Sequence, residues 1–216
     1  MKTEVETKYY DNGQKKSEGN EINGKKDGLW TEWHDNGEKR RFSPGQKKSE
    51  INYKNGELEG FVTWWYKNGQ KYEEGNYKNG KEEGLCTGWH DNGQKKYEAY
   101  LKDGNIEGLE THWYYDGWIE LVKHFKNGKE EGPSAYWWDS GNQKFNKNYK
   151  GGMKEGLHTE WHRNGEKRYE GHYKDDKEEG LFTTWDNRGN VKKRELYKNG
   201  KVVRFGLFLK KLKDSM

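Results

Sequence analysis

A Gly-Leu-x-Thr-x-Trp pattern returns through most of this chain at one fixed stride. Its three side-chain columns run Phe61, Thr63, Trp65; Leu85, Thr87, Trp89; Leu109, Thr111, Trp113; Pro133, Ala135, Trp137; Leu157, Thr159, Trp161; and Leu181, Thr183, Trp185. Successive members differ by 24 positions (85 − 61 = 24, 109 − 85 = 24). A period in this range marks a repeat array, in which each unit is one supersecondary element. It also resolves a conflict in the composition: 28% hydrophobic residues and a mean hydropathy of −1.55 would otherwise read as a disordered polar chain.

The phase reaches both ends, through Val5, Thr7, Tyr9 and Leu29, Thr31, Trp33 on one side and Phe205, Leu207, Leu209 on the other. One interval is longer. Leu29 to Phe61 is 32 positions (61 − 29 = 32), so eight extra residues (32 − 24 = 8) are accommodated, and we place them in an enlarged surface loop at about 38–45.

Within a repeat the alternation has period two. Leu85, Thr87 and Trp89 point one way, and Cys86, Gly88 and His90 the other, which is a strand pattern rich in good strand residues. Asp91-Asn92-Gly93 follows as a hairpin signal, on the expectation that Asn and Gly both accept positive φ; it recurs at Asn12-Gly13, Asn36-Gly37, Asn68-Gly69 and Asn164-Gly165. A polar second strand carries an aromatic column at Tyr53, Tyr77, Phe125, Tyr149, Tyr173 and Tyr197, and a second turn such as Asn79-Gly80 leads to a third glycine, Gly84. Each repeat is therefore expected to be two strands and two turns with no helix. Trp ladders buried jointly by neighbouring repeats would form the core. The expected fold is all-β: one elongated single-domain solenoid of about eight 24-residue hairpins over 1–201, on the order of 80 Å long from the strand spacing.

The ends read as caps. The first strand alternates Lys2, Glu4, Glu6 and Lys8 with Val5, Thr7 and Tyr9, and charge on an edge strand discourages end-to-end pairing. Residues 202–216 combine the apolar run Val202 to Leu209 with Lys210, Lys211 and Lys213. That segment is read as a C-terminal cap with a basic tail, the alternative being a short membrane-touching amphipathic segment.

Units such as Tyr77-Lys78-Asn79-Gly80-Lys81-Glu82-Glu83-Gly84-Leu85-Cys86-Thr87-Gly88-Trp89-His90-Asp91-Asn92-Gly93-Gln94-Lys95-Lys96 resemble the bacterial variant of the MORN repeat over nearly the whole chain. Proteins of this kind are commonly labelled antitoxin components of YwqK-like toxin–antitoxin systems. The resemblance implies an array of β-hairpins that binds rather than catalyses, with no family catalytic residue to carry over. The chain departs from the pattern at Pro133, Ala135 and Asp176 and between Asp116 and Phe125.

Composition narrows the function classes. The 41 basic and 37 acidic residues make a mixed, solvated surface. Lys15-Lys16, Lys47-Lys48 and Lys95-Lys96 are read as solvating pairs matched by Glu18, Glu50 and Glu98, with a phosphate-tracking stripe for nucleic acid as the weaker alternative. Cys86 is the single cysteine, which excludes an internal disulfide framework. No stretch could span a bilayer as a helix and no leader is legible at the start, which reads as a cytoplasmic protein; a mature form whose leader had been removed would look the same. His34, His90 and His162 share one column and are read as solvated rather than as metal ligands. Neither a nucleophilic triad nor a phosphate loop is present, and Glu82-Glu83, Glu130-Glu131 and Glu178-Glu179 sit in polar turns where nothing would raise a pKa. The expectation is no enzyme, no metal and no cofactor, in a monomer.

Function is therefore sought on the columns opposite Leu-Thr-Trp, which vary and carry aromatic residues. Trp64, Tyr66, Tyr114, Trp118, Tyr136 and Trp138 are the candidate partner-binding residues. The other reading of these columns is structural: a sheet covered on both faces would pack them. Trp118-Ile119-Glu120-Leu121-Val122, where other repeats are polar, is a contact patch or a local repacking. The leading function is an antitoxin-like or inhibitor protein that neutralises a toxin, nuclease or defence effector; the alternative is a carbohydrate or cell-surface module.

Overall fold

The computed structural model describes residues 3–35 and 45–203. The enlarged loop read at about 38–45, apart from Gly45, and the cap and tail beyond Val203 lie outside the described residues. The chain divides into two compact units, 1–117 and 118–216. Both are all-β, built from consecutive antiparallel hairpins, and the described residues contain no helix.

In the first unit the strands are Thr3–Tyr9, Lys15–Ile22, Lys25–Trp33, Lys47–Lys54, Glu57–Trp65, Lys71–Lys78, Lys81–Glu82 with Gly84–Trp89, Lys95–Lys102 and Asn105–Trp113. In the second they are Ile119–Lys126, Lys129–Glu130 with Gly132–Trp137, Gln143–Lys150, Met153–Lys154 with Gly156–Trp161, Lys167–Lys174, Lys177–Trp185, Val191–Lys198 and Lys201–Val202. The hairpin repeat expected from the period is borne out.

The two turns of a repeat work differently. Asn79 (φ 50°) and Gly80 (φ 75°) are both left-handed, as a two-residue type I′ turn requires. In the Asp91-Asn92-Gly93 turn only Gly93 has positive φ (86°). The expectation that Asn92 also contributes φ > 0 is corrected. Its side chain does the work instead: Oδ1 accepts from the Gln94 amide (3.0 Å) and Nδ2 donates to the Tyr115 carbonyl oxygen (2.7 Å). At Gly84 (φ 92°) the strand is bulged, and the Glu83 amide donates across it to the Asn76 carbonyl oxygen (2.8 Å). Such a bulge bends the strand and strengthens its twist.

The bending changes which residues are buried. Leu85 is 55% exposed and Phe61 53%, whereas Val62 is 0% and Trp30 2% exposed. Reading the Leu column as core and its neighbours as solvent-facing is therefore wrong. The neighbours Trp30, Val62, Cys86, Ser134, His158 and Phe182 are buried. Residue size is matched across strands: Trp30 lies over Gly19 and Phe182 over Gly171, each glycine leaving the space a Cβ would occupy. Tyr173 and Tyr197 close on Phe182 with ring centroids at 5.5 and 4.8 Å.

The opposite face is a polar ladder. In the first unit directly paired residues run Thr7, Glu18, Thr31, Glu50, Thr63, Glu74, Thr87, Glu98, Thr111. Thr63, Thr87 and Thr111 are buried within it. A lysine neutralises each glutamate and lies over a half-buried Trp: Lys71 pairs with Glu74 (2.5 Å) above Trp89, and Lys95 with Glu98 (2.5 Å) above Trp113. The Trp residues are thus covered by lysine side chains.

Candidate binding surfaces

At five places the residue at the end of the Leu-Thr-Trp strand, just past its last aromatic, belongs to the fold. The Tyr10 hydroxyl donates to the Trp33 carbonyl oxygen (2.8 Å), that of Tyr66 to Trp89 (2.9 Å), and Nε2 of His34, His90 and His162 to Trp65 (2.9 Å), Trp113 (3.0 Å) and Trp185 (3.1 Å). Each side chain ties its repeat to the next. The histidines are consequently not simply solvated, as expected from sequence, because each reaches a backbone carbonyl oxygen of the next repeat. The glutamate that precedes the bulge glycine has a similar task. Glu59, Glu83 and Glu179 accept from the turn amides of Asn79 (2.8 Å), Asp103 (3.0 Å) and Asn199 (2.9 Å).

The six candidate residues separate accordingly. In the first unit Trp64 is half-buried, edge-on to Tyr77 at 6.4 Å, and Tyr66 is engaged with Trp89 and with the Tyr72 ring at 5.1 Å. Tyr114 is half-buried, and its carbonyl oxygen accepts from the Gly117 amide (2.9 Å). In the second unit Tyr136 and Trp138 come together: the Lys144 ammonium lies 4.4 Å from one ring centroid and 4.3 Å from the other. The Tyr136 hydroxyl donates to Glu120 (2.6 Å). Nε1 of Trp138 is buried with no hydrogen-bond partner among the described residues. Trp118 is 69% exposed, beside the exposed Ile119.

Sequence reasoning missed a groove of about 630 Å³ on the second unit. Tyr169, Tyr173, Phe182 and Tyr197 line it together with charged side chains that include Lys147 and Glu178. Lys147 pairs with Glu160 at 2.9 Å. The Tyr169 and Tyr173 hydroxyls are 2.6 Å apart, and burial raises both pKa values above the ordinary tyrosine range. His158 is buried beside them; its burial lowers the imidazole pKa, and Nε2 donates to the Asn148 carbonyl oxygen (2.9 Å). The period-two aromatic column was a signal for this surface, once that column is placed on the bent side of the strand.

Among the described residues one set of groups is close enough to hold a cation. The ligand atoms of Glu73, Glu82 and Cys86 lie within 4.8 Å of one another. Each carboxylate already accepts a hydrogen bond: the Tyr97 hydroxyl donates to Glu73 (2.5 Å) and that of Tyr77 to Glu82 (3.2 Å). Burial pushes the Cys86 thiol up to about 11, so at neutral pH it is a protonated thiol beside Tyr97. This arrangement is a hydrogen-bonded packing cluster.

The hairpins, the left-handed Asn-Gly turns and the 24-residue spacing coincide with one family model, the MORN repeat variant. It matches residues 5–20, 58–79, 82–103, 106–127, 154–175 and 178–199. The chain belongs to the MORN repeat variant family. Its unmatched stretches include 21–57, where the spacing is enlarged, and 128–153, where Pro133 and Ala135 depart from the repeat. Comparison with curated proteins finds no match. No helix of the described residues is long and apolar enough to cross a membrane.

Proposed function

We propose that this MORN repeat variant protein is a non-catalytic binding protein of the cytoplasm, antitoxin-like or inhibitory, that neutralises a partner protein such as a toxin, nuclease or other effector. The observation that carries the reading is Trp118, 69% exposed beside exposed Ile119 in a part of the repeat that is polar elsewhere. Exposed Trp anchors are typical of protein–protein hot spots. Tyr136 and Trp138, gathered on Lys144, extend the aromatic surface of the same unit. Tyr66 is withdrawn from the binding set, because its hydroxyl is engaged in joining repeats.

The test is capture of partners by the tagged full chain from its native cytosol, with mass spectrometry and with Trp118→Ala beside the parent. A hot-spot truncation costs at least about 2 kcal/mol, so a captured partner should bind Trp118→Ala about thirtyfold more weakly. An equally tight complex would refute Trp118 as the anchor, and capture of no protein would refute the reading. The aromatic groove on the second unit favours a second reading, a carbohydrate-binding module, since tyrosine rings and flanking charged groups suit sugar rings and hydroxyls. Retention on a glycan array without protein capture would select it.

A further inference from the structure

The column that the repeat pattern repeats most faithfully is not core. Leu29, Phe61, Leu85 and Leu109 of the first unit are each about half exposed, and so is Tyr100, which pairs directly with Leu85. They form a row along one sheet face, two strands apart at each step. Scarce apolar residues placed on a solvated face at every repeat call for an occupant.

Charge defines that occupant. Two residues further along the strand from Asn76, which pairs with Phe61, stands Lys78, directly opposite Lys81 across the turn. Lys54 and Lys102 occupy the corresponding places in neighbouring hairpins, opposite Glu57 and Asn105. All four are exposed, and none is ion-paired among the described residues. Lysines placed directly opposite each other cost stability rather than adding to it. The other flank of the apolar row is the Thr–Glu ladder, whose Glu50, Glu74 and Glu98 already hold lysines. The surface therefore offers an apolar row flanked on one side by lysines, with positive charge concentrated at the facing pair Lys78 and Lys81.

Spacing selects the form of the ligand. Two strands advance about 9.5 Å, close to the roughly 10.5 Å of seven residues in an α-helix. An extended peptide would need free backbone groups, and on this face they are consumed by the ladder on either side. We propose that the Leu29–Phe61–Leu85–Leu109 row docks an amphipathic helix of a partner protein, its apolar stripe bordered on one side by Asp and Glu. This row belongs to the first unit, whereas Trp118, Tyr136 and Trp138 belong to the second.

The probes are two labelled synthetic helices of about three heptads with Leu at both apolar positions. One carries Glu along a single flank and the other Lys. Fluorescence anisotropy with the full chain should show at least about tenfold tighter binding of the Glu helix, weakening as salt rises. Phe61→Ser with Leu85→Ser should weaken it by about tenfold or more. Lys78→Glu with Lys81→Glu should reverse the preference between the two helices; both sites are exposed turn flanks, so this variant tests the face even if the apolar pair proves destabilising. Equal binding of the two helices, binding of neither, or a preference unmoved by the charge exchange would overturn the proposal. Retention on phosphatidylserine vesicles without helix binding would overturn it in favour of a membrane surface.

Discussion

The glycine beneath Trp30 offers a sharp test of how the buried face is built. Gly19 is not in the left-handed region, so alanine is conformationally acceptable there and only space is at issue. A Cβ at Gly19 would fall 2.3 Å from Cδ2 of Trp30, well inside van der Waals contact, and Trp30 is fully buried. The ring must move, and its indole N–H then leaves the Asn20 carbonyl oxygen, now 2.9 Å away. Overpacking of this kind costs about 1–3 kcal/mol, and the lost hydrogen bond about 0.5–1.5 kcal/mol. Gly19→Ala should thus cost about 2–4 kcal/mol in urea denaturation. Gly75 occupies the same column beneath the smaller Cys86, and a Cβ there would sit at an ordinary 3.6 Å from Sγ. Gly75→Ala should be neutral or stabilising by about 0.4–1 kcal/mol, because it restricts the unfolded chain. In a Trp30→Val background the cost of Gly19→Ala should largely disappear, a coupling that a double-mutant cycle measures. Equal effects of the two alanines, or no coupling to Trp30, would refute the size-matching account.

Removing the His90 side chain should destabilise the chain by about 0.5–1.5 kcal/mol, because its ring serves the Trp113 carbonyl oxygen; thermal melts of His90→Ala would show it. His158 has its pKa lowered by burial, so the unfolded chain binds the extra proton first. Its contribution is complete above the ordinary histidine pKa of about 6.5 and is lost as pH falls below it. The melting temperature should therefore drop more steeply on acidification in the parent than in His158→Gln. Cys86, buried and with its thiol pushed up to about 11, should react with a disulfide reagent at neutral pH only as fast as the chain opens.

Much of this architecture was legible in the sequence, because a period of 24 with Asn-Gly punctuation admits little besides stacked hairpins. The side of the sheet that would be buried was not legible. Alternation assigns Leu85 and Cys86 to opposite faces but does not say which face closes. The bulge at Gly84, which needs positive φ, and the side-chain-free place at Gly75 beneath Cys86, which depends on cross-strand packing, decide that. Nor do local patterns reveal that His90 reaches a carbonyl 23 residues away, since that partner exists only after the next repeat has stacked. Of the candidate site, the exposure of Trp118 followed from its apolar setting in a polar stretch, whereas the role of Tyr66 in joining repeats did not.

These joins also explain how so polar a chain folds. With 28% hydrophobic residues, no repeat carries enough apolar surface to order itself. Each hairpin instead presents fixed partners to the next: the carbonyl that takes His90, the turn amide that takes Glu83, and the Trp ring that lies under Lys95. These contacts recur with the repeat and fit one register only, so together with the packed face they specify how the hairpins stack. The repeat then has apolar side chains to spare from its own interior. Leu29, Phe61, Leu85 and Leu109 are half exposed because the buried Trp30, Val62 and Cys86 and the Thr ladder already close their hairpins. A row that the fold does not consume, bordered by the facing lysines Lys78 and Lys81, is a surface available for recognition.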